Sequence, residues 1–326
     1  MGFASEVAGC SLKRMTSFSQ HPDSLFSLLH ISDTHLLGEG RLLHGVLDTP
    51  ARVEQLFERV IASGMDIAAV VFTGDLADRA EPDAYRRLRD LVEPQVAKLG
   101  AELVWVMGNH DERGPFREHL LGHAPSEEPY DRVVDVRGLR LIVLDSSVPG
   151  YHHGALSADQ LDWLRQELST PAERGTILAL HHPPIPTPID LMGLIELESQ
   201  DRLWDVVRGS DVRGVLAGHL HYSTHTVWQG VPVSVASAMC YAIDLVAPSS
   251  RLLVSTDRGQ TASLVTVYPE QLVFSELPAA DMPELAGWGS EHRATIEALS
   301  PEQRKEMFSN KLSGFNIQTD LTQSGF

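Results

Sequence analysis

The chain has 326 residues, of which 43% are hydrophobic and 21% are charged, so it can bury a sizeable core and general disorder is excluded. Its formal net charge of −18, from 26 basic and 44 acidic residues, argues against binding to nucleic acid or to an anionic membrane surface. A phosphate-bearing ligand would need positive charge supplied locally, and bound metal ions are often the largest local charges in a site.

Cysteine usage and hydropathy indicate the compartment. Cys10 and Cys240 are the only cysteines, so the sequence has neither a disulfide framework nor a CxxC zinc pattern, which fits a reducing cytoplasm. Residues 1–24 contain no apolar run of the length found in signal peptides, and no segment approaches the roughly 18 consecutive apolar residues of a membrane helix. We therefore expect a cytoplasmic protein without a transmembrane segment.

Apolar runs and helical spacing alternate through the first two thirds of the chain. Strands are predicted at 25–31, 67–72, 103–107, 131–136, 139–144, 177–180, 212–216, 224–228, 231–236, 262–268 and 271–276. Helices are predicted at 50–63, 82–98, 157–168 and 199–208. Thr49 is the predicted N-cap of the first helix, Gly100 ends the second, and Ser157 caps the third.

This order of elements predicts an α/β fold in which two β-sheets are covered by helices. Residues 1–24 are predicted to form a polar N-terminal arm, and residues 25–276 form the main domain. Residues 277–326 are rich in Pro, Gly, Ser and charge, with one helical stretch near 291–310. We expect them to form a partly disordered C-terminal extension.

Five short polar segments follow predicted strands. They are Asp33-Thr34-His35, Gly74-Asp75 with Asp78 close behind, Gly108-Asn109-His110-Asp111, His181-His182, and Gly218-His219-Leu220-His221. In open α/β sheets, ligands bind beyond the carboxyl ends of the strands. We therefore expect these five segments to converge on one site.

The donor types in these segments indicate a two-metal centre. Alternate residues leaving a strand point the same way, so both side chains of Asp33-x-His35, and both of His219-x-His221, can reach one ion. Asp75 offers two oxygens, enough to bridge two ions, while Asn109 adds an amide oxygen and His181 an imidazole. Such a mixture suits Mn, Fe or Zn and differs from the all-oxygen sites of calcium. Two ions about 3.5–4 Å apart can clamp a phosphoryl group and lower the pKa of bound water.

Two residues are candidates for proton transfer and orientation. His110 is adjacent to a predicted ligand but is not predicted to bind metal; its expected role is to contact a phosphate oxygen and to protonate a leaving alkoxide. Asp78 is expected to hydrogen-bond His110 and hold its ring in orientation.

Each segment alone is weak evidence, since a lone DxH is seldom a metal site, a lone GNHD can be a turn, and a lone HH before Pro can be a loop. The five together favour a site. Other histidines have simpler interpretations. His30 is expected in the core, and His182 and His225 near the rim or behind the ligands. His152 and His153 lie in a loop that could either reach a substrate or be merely solvated. Met192, Met239 and Trp204 are expected to pack in the core.

The series D-x-H, G-D, G-N-H-D, H and G-H-x-H resembles that of the calcineurin-like metallophosphoesterases over residues 30–276. Longer stretches, such as HISDTHL at 30–36, VFTGDLAD at 71–78 and LAGHLHYST at 216–224, resemble the class III cyclic nucleotide phosphodiesterases of actinobacteria.

The resemblance implies a four-layer α/β-β/α sandwich of two mixed sheets. It implies that one ion is held by Asp33, His35, Asp75 and His221, and the other by Asp75, Asn109, His181 and His219, with Fe and Mn expected and Zn also suitable. It further implies a homodimer that hydrolyses 3′,5′-cAMP, and cGMP as well, to 5′-monophosphates by attack of a metal-bridging hydroxide.

Three other functions remain open at this stage. The metal centre alone does not separate cyclic nucleotides from 2′,3′-cyclic nucleotides or glycerophosphodiesters, and no aromatic clamp for a purine is evident in a chain with 6% aromatic residues. A protein phosphatase is disfavoured by the charge of −18. A binding scaffold that has lost catalysis is disfavoured because every expected ligand and His110 are present.

Overall fold

The computed structural model describes residues 20–279, 282–285 and 289–316. The strands are β1 Phe26–Ile31, β2 Ile67–Thr73, β3 Glu102–Val106, β4 Arg132–Val136, β5 Leu139–Leu144, β6 Thr176–Leu180, β7 Val212–Ala217, β8 Thr224–Trp228, β9 Val231–Val235, β10 Ala242–Ile243, β11 Ser255–Thr256, β12 Thr261–Val267 and β13 Leu272–Pro278. The helices are α1 Thr49–Ala62, α2 Pro82–Leu99, α3 Arg113–Pro115, α4 Ala158–Glu167, α5 Asp190–Gly193, α6 Gln200–Val207, α7 Arg293–Ala298 and α8 Pro301–Ser309.

Two mixed sheets form the centre of the fold. The first has the strand order β13-β12-β1-β2-β3, and the second has the order β4-β5-β6-β7-β9-β8. In the first sheet β1, β2 and β3 are parallel, and in the second β5, β6, β7 and β9 are parallel, with antiparallel strands at the edges. The predicted α/β fold with two mixed sheets is confirmed.

Side chains that alternate along a strand separate the layers. In β5, Leu141 and Val143 belong to the buried cluster that also contains residues of β1 and β2, whereas Ile142 and Leu144 pack with residues of α4 and α6. Strands β2 and β6 contact each other, so the sheets face one another, and the helices cover their outer faces. Full burial of each such side chain stabilises the fold by roughly 1.5–3 kcal/mol. The result is the expected four-layer sandwich.

Helix ends follow their capping chemistry. Ser157 caps α4 in a capping box with Gln160, as predicted, and Gly100 ends α2 in the left-handed conformation that glycine tolerates. The predicted N-cap of α1 is wrong by one residue. Asp48 accepts from the backbone N–H of Ala51 at 3.1 Å, because a short carboxylate caps as well as a hydroxyl, and Thr49 is already helical.

The described residues form two compact units, one within residues 1–280 and one within 281–326. The second unit contains α7 and α8 in place of the single helical stretch predicted near 291–310. Ser300 caps α8 in a capping box with Gln303, and Pro301 has no N–H with which to continue α7, so the helix restarts there. The predicted arm at 1–24 lies largely outside the described residues, and the boundaries at 24 and 276 stay predictions.

Candidate metal centre

All five predicted segments begin directly beyond the carboxyl ends of parallel strands. Asp33 follows β1, Asp75 follows β2, Asn109 follows β3, His181 follows β6, and His219 follows β7. The first three come from one sheet and the other two from the facing sheet. Because the carboxyl ends of both sheets lie at the same edge of the sandwich, the sequence segments meet as expected.

The predicted ligands form one buried cluster. Nε2 of His35 lies 3.4 Å from Oδ2 of Asp75, and Nε2 of His181 lies 3.3 Å from the same oxygen. Nε2 of His221 lies 3.3 Å from Oδ1 of Asp33, and Nε2 of His181 lies 3.1 Å from Oδ1 of Asn109. Donor atoms of Asp33, His35, Asp75 and His221 all fall within 4.8 Å of one another. Asp75 therefore lies between the two groups of predicted ligands.

In each of the four predicted imidazole ligands, one ring nitrogen is hydrogen-bonded to an oxygen of the protein. The oxygens that hold them belong to the Asp78 carboxylate for His35 at 3.1 Å, the Thr73 carbonyl for His181 at 2.7 Å, the Ile195 carbonyl for His219 at 2.9 Å and the Tyr241 carbonyl for His221 at 3.1 Å. A carbonyl or carboxylate oxygen accepts, so the ring nitrogen facing it carries the proton. The other nitrogen is then a free lone pair, which is the form in which histidine binds a metal.

One buried nitrogen of the cluster lacks a hydrogen-bond partner, as expected of a metal ligand. Nε2 of His35 is buried without a hydrogen-bond partner and faces the carboxylates, a costly arrangement unless a ligand satisfies it. The donor set of two carboxylates, four imidazoles and one amide suits borderline divalent ions. The chain thus has the candidate Asp, His and Asn ligands of a dinuclear centre.

The buried carboxylates create a strongly cation-attracting field. Burial lowers the pKa of His35, but the nearby carboxylates of Asp75 and Asp78 outweigh burial and raise that pKa to about 10. Burial likewise opposes protonation of His181, yet Asp75 raises its pKa to about 9. Burial raises the pKa of Asp33, but the charge of His221 and its hydrogen bond outweigh burial and lower that pKa to about 2. Metal ions would take the place of these protons, as ligand binding to a metal releases protons.

The backbone at the centre is unusual. Five of the seven predicted ligands have positive φ: Asp33 at 53°, His35 at 45°, Asp75 at 50°, His219 at 72° and His221 at 55°. Such conformations cost of order 1–3 kcal/mol each for residues other than glycine, and they concentrate at functional sites. The fold therefore holds these side chains in place by its own packing.

Gly108 allows the closest approach in the site. A Cβ there would collide with the backbone nitrogen and the carboxylate of Asp75. The loop after β3 can pack against the loop after β2 only because this residue has no side chain, and the amide N–H of His110 then donates to Oδ1 of Asp75 at 2.8 Å.

His110 is hydrogen-bonded to the main chain of Asp78 rather than to its carboxylate. Nδ1 of His110 donates to the backbone carbonyl of Asp78 at 2.9 Å, whereas the Asp78 carboxylate is 3.9 Å away. The carboxylate is engaged by His35 at 3.1 Å, so the hydrogen bond of His110 goes to the Asp78 main chain. Asp78 still orients His110, but with its main chain.

The structure decides between the interpretations of the remaining histidines. His152 reaches the site, with Nδ1 2.9 Å from Nδ2 of Asn109 and its ring 5.1 Å from that of His110. His153 points instead to Glu198, 3.8 Å away. His30 is buried and bonds Thr73, as expected of a core residue, and Met192 and Met239 are also buried. His225 stacks on Phe274, outside the cluster.

Two further residues support the site: Asp111, which had no role assigned from the sequence, and His182, which was expected near the rim or behind the ligands. Asp111, the last residue of the GNHD segment, accepts from the backbone N–H groups of Leu76, Ala77 and Gly108, and so ties two ligand loops together. His182 is buried, and burial lowers its pKa to about 3, so its ring is neutral. It lies between the hydroxyl of Ser146 and the carbonyl of His152. Adjacency to a ligand was the only available signal for either residue.

Comparison with known proteins defines the class. The model of the calcineurin-like phosphoesterase family matches residues 26–223. The chain belongs to this family, whose members hydrolyse phosphate esters at dinuclear metal centres. None of the helices in the described part of the chain is both long and apolar enough to span a membrane.

Individual relatives are similar over most of the chain. It is 50% identical over 298 residues to the cAMP/cGMP dual specificity phosphodiesterase of Mycobacterium tuberculosis, covering 90% of this chain and 93% of that one. It is 32% identical over 249 residues to a 3′,5′-cyclic adenosine monophosphate phosphodiesterase of Pseudomonas aeruginosa, covering 73% and 88%. A dimetal phosphatase from Danio rerio shares the fold, with a TM-score of 0.57 at 15% identity over 79% of this chain and 98% of that one.

Proposed function

We propose that this protein hydrolyses 3′,5′-cyclic nucleotides, cAMP and cGMP, to 5′-nucleoside monophosphates. The observation that carries the proposal is the set of four imidazoles, each anchored by one ring nitrogen. The other nitrogen of His35, His181 and His221 lies near Asp33, Asp75 or Asn109, and His219 lies beside His181. The similarity to relatives named as cyclic nucleotide phosphodiesterases supports the choice of substrate.

We assign the ligands as the resemblance predicts. Asp33, His35, Asp75 and His221 would hold one ion, and Asp75, Asn109, His181 and His219 the other, with Asp75 shared between them. Bound ions would supply positive charge against the phosphate and an activated water. Fe and Mn are the expected metals, and elemental analysis of the purified protein tests that assignment.

His110 is positioned to move a proton. Its Nδ1 is fixed on the carbonyl of Asp78, and its side chain is 30% exposed, so Nε2 is the nitrogen available to a substrate. A hydroxide, formed when the activated water loses a proton to the solvent, would attack phosphorus in line with the P–O3′ bond. As that bond breaks, His110 would give its Nε2 proton to O3′. The product is a 5′-monophosphate with a free 3′-hydroxyl. General acid catalysis of this kind contributes typically 10²–10⁴-fold.

Two polar side chains, Asn109 and His152, lie beside His110. The amide nitrogen of Asn109 lies 2.9 Å from Nδ1 of His152, whose ring is 5.1 Å from that of His110. Together they could orient a small phosphodiester.

A parallel assay tests the proposed function. Mn-reconstituted protein would be given 3′,5′-cAMP, 2′,3′-cAMP and bis(p-nitrophenyl) phosphate, with Asp75→Asn as the metal-ligand control and with the product identified by chromatography. Formation of 5′-AMP that is lost in the control supports the proposal. Cleavage of the aryl diester without turnover of 3′,5′-cAMP would move the function to another diester, such as 2′,3′-cyclic nucleotides or glycerophosphodiesters.

A second variant isolates the proton donor. His110→Gln should keep both metals and lose far more activity on 3′,5′-cAMP than on the aryl diester, whose nitrophenolate leaves without a proton. Equal activity of the variant and the natural protein on 3′,5′-cAMP would refute the role of His110.

The homodimer and the cytoplasmic location remain part of this proposal. Light scattering coupled to size exclusion tests the dimer, and fractionation of cells that express the tagged protein tests the location.

A further inference from the structure

A groove of about 520 Å³ opens beside the candidate metal centre. We call it the lateral groove, and its defining residues are Leu37, Arg41, Leu43, His44, Asp78 and Arg79. Asp78 is the link to the centre, since its carboxylate bonds His35 and its carbonyl bonds His110. The groove therefore begins at the residue that positions the proposed proton donor.

An aromatic pair connects the groove to the ligands. The ring of His44 lies 5.3 Å from that of Tyr241, and the Tyr241 ring lies 4.5 Å from that of His221. Ring contacts thus run from the predicted ligand His221 through Tyr241 to His44, which lines the groove. Such a surface offers π-faces to a planar ring, and purine stacking on aromatic side chains is tolerant of base identity.

The arginines of the groove suit an anionic, planar substrate. Arg79 lines the groove, its side chain is 68% exposed, and its Nε lies 3.5 Å from the Asp78 carboxylate. Arg41 is fixed to Glu81 and to the carbonyl of Gly38. Guanidinium groups stack on aromatic rings and bases as well as pairing with anions.

The groove is formed before any ligand arrives. The backbone N–H of Gly38 donates to the Glu81 carboxylate at 2.7 Å, and that of Glu39 donates to Asp83 at 2.8 Å. Leu43 exchanges backbone hydrogen bonds with Leu47, and both are buried with Cys240. A pre-formed wall lowers the ordering cost of binding.

In the proposed reaction, the position of the leaving oxygen O3′ places the base on the side of the centre where the lateral groove lies. If His110 protonates O3′, the ribose that carries O3′ lies against His110 and Asp78. The base on that ribose is one sugar away from O3′, and Asp78 is also in the wall of the lateral groove. A second groove of about 680 Å³, with His153, Glu196, Glu198 and Asp201 in its wall, has three carboxylates and repels an anionic diester.

We propose that the lateral groove binds the nucleobase of the cyclic nucleotide, stacked on His44 and Tyr241 and covered by Arg79. This proposal deepens the proposed function and rests on it. The groove would bind the base without selecting between adenine and guanine, so cAMP and cGMP would share the same surface.

The test compares two inhibitors that differ by the base. Inhibition constants of 5′-AMP and ribose 5-phosphate would be measured against hydrolysis of bis(p-nitrophenyl) phosphate by the metal-loaded protein. Their ratio removes any effect of a variant on the assay substrate or on the phosphate. Stacking of one base predicts that 5′-AMP inhibits about tenfold or more tightly than ribose 5-phosphate.

The variants are His44→Asn and Arg79→Gln. Asn tolerates the positive φ of 51° at position 44 but removes the ring, and both positions are exposed, so folding is preserved. Each variant should bring the ratio toward one by weakening 5′-AMP alone. Arg86→Gln, an exposed arginine on α2 outside the groove, and Glu198→Gln in the second groove should leave the ratio unchanged.

Three results would overturn the proposal. They are a ratio near one in the natural protein, an equal loss of both inhibitors in the groove variants, which would mean a phosphate contact, and a loss of the ratio in Glu198→Gln alone. Failure of the proposed function is seen separately, as absence of 3′,5′-cAMP turnover in a protein that still cleaves the aryl diester.

Discussion

His110 donates through Nδ1 to the backbone carbonyl of Asp78 at 2.9 Å, while the Asp78 carboxylate bonds His35 at 3.1 Å. One residue thus serves two imidazoles with two different groups. Its main chain orients the proposed proton donor, and its side chain orients a predicted metal ligand. Substitution of the side chain should therefore separate the two roles.

We expect Asp78→Asn to weaken metal binding about 10–100-fold, because the ring of His35 loses its charged acceptor while the carbonyl that holds His110 remains. Competition with a fluorescent chelator measures the affinity. At saturating metal, the ratio of activities on 3′,5′-cAMP and on the aryl diester should match that of the natural protein. A selective loss on 3′,5′-cAMP with normal metal affinity would assign the carboxylate to His110 instead.

Asp111→Ala should destabilise the fold by about 3–5 kcal/mol, since four buried donors lose their acceptor: the N–H groups of Leu76, Ala77 and Gly108, and the hydroxyl of Tyr85. Urea denaturation measures the change. Asp135→Ala, which removes an exposed carboxylate bonded to Gly138, is the control and should cost less than about 1 kcal/mol. Similar losses in both variants would contradict a bracing role for Asp111.

Gly108→Ala should displace Asp75, because the new Cβ collides with its backbone and carboxylate. We expect loss of bound metal together with a fall in the denaturation midpoint. Gly114→Ala is the matched control, as its nearest neighbour would be 3.4 Å away, an ordinary contact. Elemental analysis of both purified variants gives the outcome, and full metal content in Gly108→Ala would show that the loops can separate without loss of the site.

The stability of the protein should depend on pH through Asp131. Burial raises the pKa of this carboxyl from 3.8 to about 6, against hydrogen bonds from Asp145 and Gln160 that favour its charge. Because the folded-state pKa is above the unfolded one, the stabilisation is present below pH 3.8 and is lost as the pH rises through 6.

Asp131→Asn keeps the accepting oxygen and never ionises, so it should be more stable than the natural protein at pH 7.5. We expect about 1–2 kcal/mol, allowing for partial exposure, and a difference that shrinks on acidification to pH 4. Urea denaturation at both values measures it. A constant difference at the two pH values would show that the carboxyl does not titrate in this range.

The ligand positions were predictable from the sequence because chemistry and topology coincide there. Asp33, Asp75, Asn109, His181 and His219 each follow an apolar run, and parallel strands bring such positions to one edge of the sandwich. The same logic predicted both sheets. Local capping was predicted at Ser157 and Gly100, where side-chain chemistry decides the helix end.

The second layer of the site was not predictable in this way. The carbonyls of Thr73, Ile195 and Tyr241 hold three of the ligands, and a carbonyl has no signature in the sequence. The approach of His152 to Asn109 depends on how a loop packs, which periodicity does not encode. The aromatic pair of His44 and Tyr241 joins residues far apart in the chain, so no motif could reveal it.

The candidate ligands come from both sheets, with Asp33, His35, Asp75 and Asn109 beyond one and His181, His219 and His221 beyond the other. An ion bound there would join the sheets directly and so would favour the folded state. Occupancy and resistance to proteolysis would then rise together, by mass action on the folded state. The metal supply of the cell would set how long each molecule survives as well as how fast it works.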